Sequence, residues 1–355
     1  MSCESLHLQT KTCKLGLIAR ADTTGLSAQT HAVWQHLRPT ATLVVDMDHV
    51  RGVKTVPTDI SRFPGARPWV PAGFPAPISA RDATVDDFLR AVDVVYTAET
   101  PYNYYVFERA RELGVKTVLH ANPEFLDYWV HPELPRPDVV ALPTRWYMRE
   151  ISELLAPTPV LLLPVPVPAV PTPARLVRCR RLLHLAGVQP ARDRNGTQIL
   201  LHAMPSVSPL AHLRVVSHGS VGDVPRNVIV DTSPYRWPRQ APAADLMVIP
   251  RRFGGLCLPM QESLARGVPV LMSAVEPQAS VLPPGLLVTA SPGESYQAAR
   301  LRVTLQDVSP ELLAARINEL VDSPGELREL AAWARAWARA NSWVALHHMY
   351  LELLA

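Results

Sequence analysis

Short apolar runs alternate with helical patterns along the first half of the chain. Buried strands are predicted at residues 14–20, 41–46, 92–99, 115–122 and 137–144, with helices at 27–37 and 84–92. The segment 54–79 is rich in proline and glycine and is predicted to contain a loop over the functional site. Strands that alternate with helices are typical of βαβ units around a parallel sheet.

A proline-rich tract at residues 156–174 interrupts this alternation. Such tracts are extended and semi-rigid, which suits a connection between domains. After it, strands are predicted at 180–187, 213–219, 227–232, 245–250, 268–273 and 285–290, and helices near 196, at 310–323 and at 327–354. The sequence therefore predicts two doubly wound α/β domains, residues 1–165 and 175–339, with a cleft between them. Ligands of such sheets lie outside the carboxyl ends of the strands.

Length and composition suit two globular domains. The 355 residues are 48% hydrophobic, the mean hydropathy is +0.05, and no apolar run reaches the length of a membrane helix. The first residues lack the pattern of a signal peptide. The four cysteines show neither paired spacing nor a nearby histidine cluster, so structural zinc and a disulfide framework are not expected. These features predict a cytoplasmic protein.

The charge balance is mildly basic, with a formal net charge of +3. This is less than the basic footprint of a dedicated nucleic-acid-binding protein. Almost all of the positive charge is arginine, which GC-rich coding explains, although arginine also suits phosphate and carboxylate ligands. The basic run at 174–181 is interpreted as a solvated face, with contact to an anionic acceptor as the alternative.

The segment 250–271, PRRFGGLCLPMQESLARGVPVL, joins a buried strand to a helix of about three turns that ends at Gly267. Glycines let backbone amides approach a ligand, and the N-terminus of a helix favours an anion. Arg251 and Arg252 can bind phosphate or sugar, and Glu262 can accept hydrogen bonds from the vicinal hydroxyls of a ribose. The segment predicts a nucleoside-diphosphate site; the alternative is a packing turn with solvated arginines.

This segment resembles the donor-binding motif of retaining glycosyltransferases with the GT-B fold, the large group also described as glycosyltransferase family 4. The family motif is Glu-Gly-Phe-Gly-Leu, three variable residues and Glu, followed by a small-residue helix and Gly-x-Pro-Val. The positions that keep this spacing are Gly255, Leu258, Glu262, Ala265, Gly267, Pro269 and Val270. Gly254 stands where the family has its first glutamate, which contacts the transferred sugar, so the sugar and the turnover stay open. The second glutamate, the ribose ligand, is kept as Glu262.

Other segments resemble the same family. Residues 184–205 resemble the first strand and helix of its donor domain, which implies contacts from Arg192, Arg194 and Asn195 to the diphosphate. Residues 20–30 resemble the glycine loop after its first strand, so Gly25 and Leu26 are expected to face the cleft. The terminal segment, about 340–355, resembles the helix that packs back on the first domain. The predicted donor-site residues are Arg192, Arg194, Asn195, Arg251, Arg252, Gly254, Gly255, Leu256, Cys257, Leu258 and Glu262.

Two catalytic candidates lie at predicted strand ends in the first half. His120 occupies a position where the family often has an active-site histidine; the alternative is a structural histidine. Glu99 faces the predicted cleft, where a carboxylate either acts on an acceptor hydroxyl or caps the next helix. The sequence DMD at 46–48 is similar to the metal-binding motif of another glycosyltransferase fold, but it is interpreted as a strand end because GT-B enzymes bind no metal there.

The resemblance implies a glycosyltransferase that moves a sugar from a nucleotide-diphosphate sugar to a hydroxyl acceptor, with retention and without a metal or a cofactor. The nucleotide sugar is the expected co-substrate. A glycan, a lipid, a metabolite, a protein and a hydroxylated DNA base all stay open as acceptors. The alternatives are a sugar-nucleotide epimerase and a non-catalytic module that binds sugar nucleotides. Neither the nucleotide nor the oligomeric state follows from the sequence.

Overall fold

The computed structural model describes residues 13–50, 57–128, 130–168, 178–187, 193–233, 242–298 and 301–355. Its strands are β1 Leu15–Arg20, β2 Ala41–Val45, β3 Arg67–Trp69, β4 Val94–Ala98, β5 Lys116–His120, β6 Val139–Leu142, β7 Val160–Leu162, β8 Arg181–Gly187, β9 His212–Ser217, β10 Val228–Asp231, β11 Leu246–Ile249, β12 Val270–Ser273, β13 Leu287–Val288, β14 Ala290–Ala298 and β15 Leu301–Val308. Its helices are α1 Gly25–Leu37, α2 Ala83–Arg90, α3 Tyr105–Leu113, α4 Met148–Leu155, α5 Thr197–Ala203, α6 Leu258–Ala265, α7 Pro310–Asp322, α8 Pro324–Ala340 and α9 Trp343–Leu354.

Two parallel sheets form the cores of two Rossmann-like domains, as the alternating pattern predicts. The first sheet has the order β3-β2-β1-β4-β5-β6-β7, and the second has the order β10-β9-β8-β11-β12-β13. Their central strands, such as β1, β4 and β11, are buried on both faces, which explains why these are nearly continuous apolar runs in the sequence. The strand order reverses between β1 and β4 in the first sheet and between β8 and β11 in the second. The loops that follow these four strands therefore flank the position where such folds bind ligands.

The last helix, α9, packs on the first domain. Trp343, Tyr350 and Leu354 are buried in the same core cluster as Leu17 of β1. The hydroxyl of Tyr350 also donates to the carbonyl of Pro164, at 3.2 Å. The end of the chain thus ties the second half of the molecule to the first.

Three expectations about the second half need correction. Helix α6 has eight residues, just over two turns, because the chain turns at Gly267 with a φ of +72°. The predicted helix at 327–354 is broken at Asn341, after which Ser342 caps α9 by accepting from the amide of Ala345. The strand predicted at 285–290 is reduced to the two residues of β13.

An antiparallel hairpin of β14 and β15 follows, and the sequence pattern did not predict it. It pairs Ala290 with Val308 and Tyr296 with Val303. Among the helices of the described part of the chain, none has the length and apolar character that a membrane span requires.

Candidate active site

The loop between β11 and α6 is built around a glycine that no other residue can replace easily. Strand β11 ends one residue before Pro250, and α6 begins at Leu258. Gly254 has a φ of +115°, outside the range that side chains favour. A Cβ at this position would lie 2.5 Å from Nη2 of Arg251 and 2.8 Å from Nη2 of Arg194. Two guanidinium groups therefore occupy the space where a side chain at 254 would begin.

The two arginines of this loop have different partners. Arg251 is 5% exposed, and it donates to the carbonyls of Phe253, at 2.9 Å, and Leu256, at 3.1 Å. Arg252 instead forms an ion pair with Asp307 of the hairpin, with 2.6 Å between Nε and Oδ1. Arg251 thus shapes the loop from inside, whereas Arg252 attaches it to β15.

Glu124 of the first domain reaches into this loop, and sequence reasoning did not single it out. Its Oε1 lies 2.7 Å from Nη2 of Arg194 and 3.9 Å from Nη2 of Arg251. Its Oε2 accepts a hydrogen bond from the amide of Gly255, at 3.2 Å. The Arg194 guanidinium also lies 5.6 Å from the ring centroid of Phe253. The structure thus brings one carboxylate, two arginines and a backbone amide together where the two domains meet.

The loop after β8 packs directly against the loop after β11. The side-chain amide of Asn195 donates to the carbonyls of Leu185 and Ala186, at 3.1 and 3.3 Å, and so fixes the end of the strand. Gly196 has a φ of +70°, and a Cβ there would lie only 2.1 Å from the carbonyl oxygen of Pro250. Asn195 therefore positions the loop after β8. The close approach of Gly196 sets the distance between the two loops.

The remaining cleft residues of the prediction fall in three places. Gly25 begins α1, and a Cβ there would lie 2.9 Å from Cδ1 of Leu258, so the first domain contacts the start of α6. Leu26 packs against the core of the first domain. Cys257 is buried at the N-cap of α6. Arg192 lies outside the described residues.

Glu262 is a buried carboxyl group with an unused oxygen. It lies on α6 and is 6% exposed, and within the described ranges its Oε2 has no hydrogen-bond partner. Burial raises the pKa of Glu262 from the ordinary 4.5 to about 8. An unsatisfied buried polar atom is costly, so Oε2 of Glu262 is a candidate to accept a hydrogen bond from a bound molecule.

Glu99 stands at the end of β4 in a backbone conformation that is uncommon for glutamate. Its φ is +67°, and its amide donates to the carbonyl of His120, at 2.8 Å. Burial, followed by the negative charge of Glu124, raises the pKa of Glu99 to about 7, while Arg20 and Arg194 oppose the shift. Glu99 therefore shares an electrostatic environment with the Glu124–Arg194 pair. A residue held in a sparsely populated conformation is often part of a functional site.

His120 lies in the interior of the first domain. It is 1% exposed, and its Nδ1 lies 2.6 Å from the hydroxyl of Tyr96 and 3.2 Å from Nε2 of Gln29. The ring of Tyr350 from α9 packs against it. Burial lowers the pKa of His120 to about 3, so the imidazole is neutral. The catalytic role suggested by its strand-end position stays a prediction.

The DMD sequence forms a turn after β2. Asp46 accepts a hydrogen bond from the amide of Asp48, and Asp48 accepts one from the amide of Thr58, at 3.2 and 3.0 Å. Over the ranges that the structure describes, no group of three or more His, Cys, Asp and Glu residues could hold a metal ion.

The comparisons with known proteins identify the fold. HepE of Anabaena, in complex with UDP and glucose, superposes with a TM-score of 0.66 at 11% identity over 96% of this chain and 99% of that chain. Sucrose-phosphate synthase from Thermosynechococcus elongatus gives 0.65 at 15% identity over 96% and 98%. A glycosyltransferase from Rickettsia africae ESF-5 gives 0.65 at 10% identity over 97% and 98%. The chain has the GT-B fold. No protein-family model matches the sequence, and no curated protein matches it.

Two contributions to the site escaped sequence reasoning. Glu124 comes four residues after β5, on the cleft side of the first sheet, and only its long-range contact with Gly255 distinguishes it from other loop carboxylates. The hairpin carries Asp307, and the amide of its Gln306 donates to the carbonyl of Arg252, at 2.9 Å. The alternation of residues 301–308 is the signal that could have predicted β15.

Proposed function

We propose that the chain is a glycosyltransferase that moves a sugar from a nucleoside-diphosphate sugar to a hydroxyl acceptor bound between the two domains. The observation that carries the proposal is the buried, unpartnered Oε2 of Glu262, one turn inside a helix that follows a glycine loop. A ribose diol offers two hydroxyl donors, which satisfy one carboxylate. HepE, a protein of the same fold, has been solved in complex with UDP and glucose and with UDP-glucose, which supports a nucleotide sugar as the ligand.

The diphosphate is assigned to the start of α6. The amide of Gly255 faces this position, the end of the helix contributes a partial positive charge, and Arg194 supplies a guanidinium. Negative charge accumulates on the diphosphate as the bond to the sugar breaks. Groups that are already oriented toward that charge stabilise the transition state more than the ground state. Arg192 is proposed to supply a further positive charge that stabilises the diphosphate, as the family resemblance implies.

The acceptor is assigned to the first domain, near Glu99. A carboxyl group with a pKa of about 7 can exchange a proton with an acceptor hydroxyl near neutral pH. Retention of configuration, transfer without a metal, and a role for His120 are carried over from the family resemblance as parts of the proposal. A cytoplasmic location stays a prediction, and a hydroxylated DNA base remains among the acceptors to screen.

Thermal unfolding in the presence of nucleotides tests the donor site. UDP, GDP, ADP and dTDP are added, each at about 100 times the expected dissociation constant, where binding stabilises the native state by about 2.7 kcal/mol. One nucleotide is expected to raise the Tm of the wild type and to have little effect on Glu262→Gln. Glu153→Ala, a substitution of an exposed glutamate on α4, serves as the control and should respond like the wild type.

Absence of a shift with all four nucleotides would contradict the proposal. A shift that Glu262→Gln retains would place the ribose elsewhere. Slow hydrolysis of the stabilising nucleotide's sugar, measured without acceptor, then separates an enzyme from the non-catalytic binding module.

A further inference from the structure

Glu124 binds to the second domain as an anionic ligand would. The carboxylate is only 5% exposed, although it stands on the other domain from its partners. One oxygen is paired with Arg194 and the other accepts from the amide of Gly255. Arg251 lies at 3.9 Å and adds a second positive charge. Paired guanidinium groups and a backbone amide before a helix are the groups that bind phosphate in other proteins.

The surroundings hold this carboxylate in place. A Cβ on Gly255 would lie 3.0 Å from Oε2 of Glu124 and 3.2 Å from the ring of Trp146, so the first domain packs closely over the glycine loop. Gly254 contributes no side chain, and the two arginines occupy the space beside it. Glu124 is therefore the carboxylate that pairs with Arg194.

If the proposed function is right, the terminal phosphate of the donor needs these same groups. The amide of Gly255 has one hydrogen, which Oε2 of Glu124 accepts, and Nη2 of Arg194 donates to Oε1. A phosphate oxygen that takes the Gly255 amide must therefore displace Oε2 of Glu124. Arg194 has further donors, among them an Nε without a partner within the described residues, so a phosphate beside it either shares or replaces the contact from Nη2 to Glu124. Binding of the donor at the Gly255 amide thus breaks at least one of the contacts that Glu124 makes across the cleft.

We propose that Glu124 is a specificity-determining residue of the donor site: an internal carboxylate that the β-phosphate displaces from Arg194 and Gly255. A ligand without a β-phosphate leaves Glu124 in place and gains nothing from its removal. Because Glu124 belongs to the first domain, its displacement also releases a contact between the domains. The inference rests on the proposed function and names the group with which the diphosphate competes.

Calorimetric titration of Glu124→Gln with UDP and with UMP tests this proposal. Glutamine keeps the size of the side chain but loses the charge, so its contacts to Arg194 become weaker. We expect the dissociation constant of UDP to fall about tenfold and that of UMP to change less than twofold. If the nucleotide panel selects another base, the corresponding diphosphate and monophosphate replace UDP and UMP.

Asp245→Asn is the matched control. Asp245 is another buried carboxylate that pairs with an arginine of the second domain, with 2.6 Å to Nη2 of Arg181, but it lies at the opposite end of the sheet from the glycine loop. This variant should bind UDP like the wild type. Glu124→Asp is the second test variant, because the shorter side chain keeps the charge but cannot span from Arg194 to Gly255, and a smaller gain is expected. Circular dichroism and the Tm of each variant establish that it is folded.

Each alternative result has a definite meaning. Weaker or unchanged UDP binding in Glu124→Gln would overturn the proposal, because Glu124 would then support the ligand or have no role in its binding. Equal gains for UDP and UMP would also overturn it, since the effect would be a general one of charge. If neither the wild type nor the variant binds any nucleoside diphosphate, the proposed function itself fails. A wild type that binds UDP beside a variant without a gain rejects only the role of Glu124.

Discussion

The two central loops of the cleft, one from each domain, are built differently. The loop after β4 places non-glycine residues at positive φ, +67° at Glu99 and +61° at Tyr102, and buries the Tyr102 ring in the core of the first domain. The loop after β11 has glycines at 254 and 255, with Arg251 folded inward and Arg252 paired with Asp307, and its Gly255 amide donates to Glu124. Under the proposed function, the donor side depends on the shape of the glycine loop, whereas the acceptor side depends on the titratable group of Glu99. Substitutions that add a side chain at a close contact should therefore affect the loop after β11. Changes of pH should affect the loop after β4, which carries Glu99.

The largest effect is expected from Gly196→Ala, compared with Gly114→Ala. The two glycines have nearly the same φ, +70° and +69°, so the backbone strain of the substitution is the same. A Cβ at Gly196 would lie 2.1 Å from the carbonyl oxygen of Pro250, whereas nothing lies within 4 Å of one at Gly114. We expect a loss of about 1 kcal/mol in the free energy of unfolding for Gly114→Ala and about 3 kcal/mol or more for Gly196→Ala.

Urea denaturation of both variants measures this difference. Equal losses would mean that the two loops of the donor side can separate without cost. In that case the close approach of Gly196 to the carbonyl of Pro250 does not fix the distance between the loops after β8 and β11. Gly196→Ala should also weaken UDP binding, because Arg194 and Gly255 lie on the two loops that it forces apart.

The alternating sequence pattern was sufficient for the fold because parallel strands are buried on both faces. It predicted most strands of both sheets, and the reversal of strand order then brought distant loops together. The pattern did not predict the hairpin of β14 and β15, because β14 contains Pro292 and Gly293, which are typical of a turn. The pattern also did not predict the break between α8 and α9, because the chain changes direction at Asn341 and Ser342 without a glycine or a proline.

In the candidate site, too, the features within one short segment could be predicted, whereas the contacts between distant segments could not. The glycine loop and Glu262 are encoded within one short segment, so their relation can be inferred from spacing. Glu124 contacts Gly255 from 131 residues away in the sequence, and no local pattern records that contact. Asp307 is a similar case, because its ion pair with Arg252 requires the hairpin that the pattern missed. Contacts between domains are set by the final packing, which is why the sequence pattern could locate the glycine loop but not the carboxylate that lies on it.

A smaller effect, and one that depends on pH, is expected from Glu262→Gln. Burial raises the folded-state pKa of Glu262 from 4.5 to about 8, so the native state holds a proton that the unfolded state releases. The stabilisation is fully present below pH 4.5 and is lost as the pH rises toward 8. Glutamine does not titrate, so the ligand-free variant should match the wild type at pH 4.5. A shift of about 3.5 pKa units at about 1.4 kcal/mol each sets an upper limit of about 5 kcal/mol on its gain at pH 8.5. Relaxation of the protein and entry of water around the charge reduce the expected gain to on the order of 2 kcal/mol.

Urea denaturation at the two pH values measures the difference, and a gap that does not change with pH would contradict the assignment. Saturating UDP should reverse the order at pH 8.5. The ionised Glu262 of the wild type can accept from both ribose hydroxyls, whereas glutamine cannot. The same comparison with a 2′-deoxy nucleotide should show a smaller reversal, because one of the two hydroxyls is missing.

The smallest effect is expected from Glu99→Gln, and it tests the link between the two sides of the cleft. Burial and the charge of Glu124 raise the pKa of Glu99 to about 7, so its stabilisation is present below pH 4.5 and lost as the pH rises through 7. Glutamine keeps the length of the side chain, and the shift of about 2.5 pKa units sets an upper limit of about 3 kcal/mol on the gain of the variant at pH 8. Relaxation around the charge reduces the expected gain to about 1 kcal/mol, less than for Glu262→Gln. In a Glu124→Gln background the second cause of the shift is absent, and the gain should shrink. Equal gains in the wild-type and Glu124→Gln backgrounds would show that Glu124 does not raise the pKa of Glu99. The two carboxyl groups would then act independently, although Arg194 interacts with both of them.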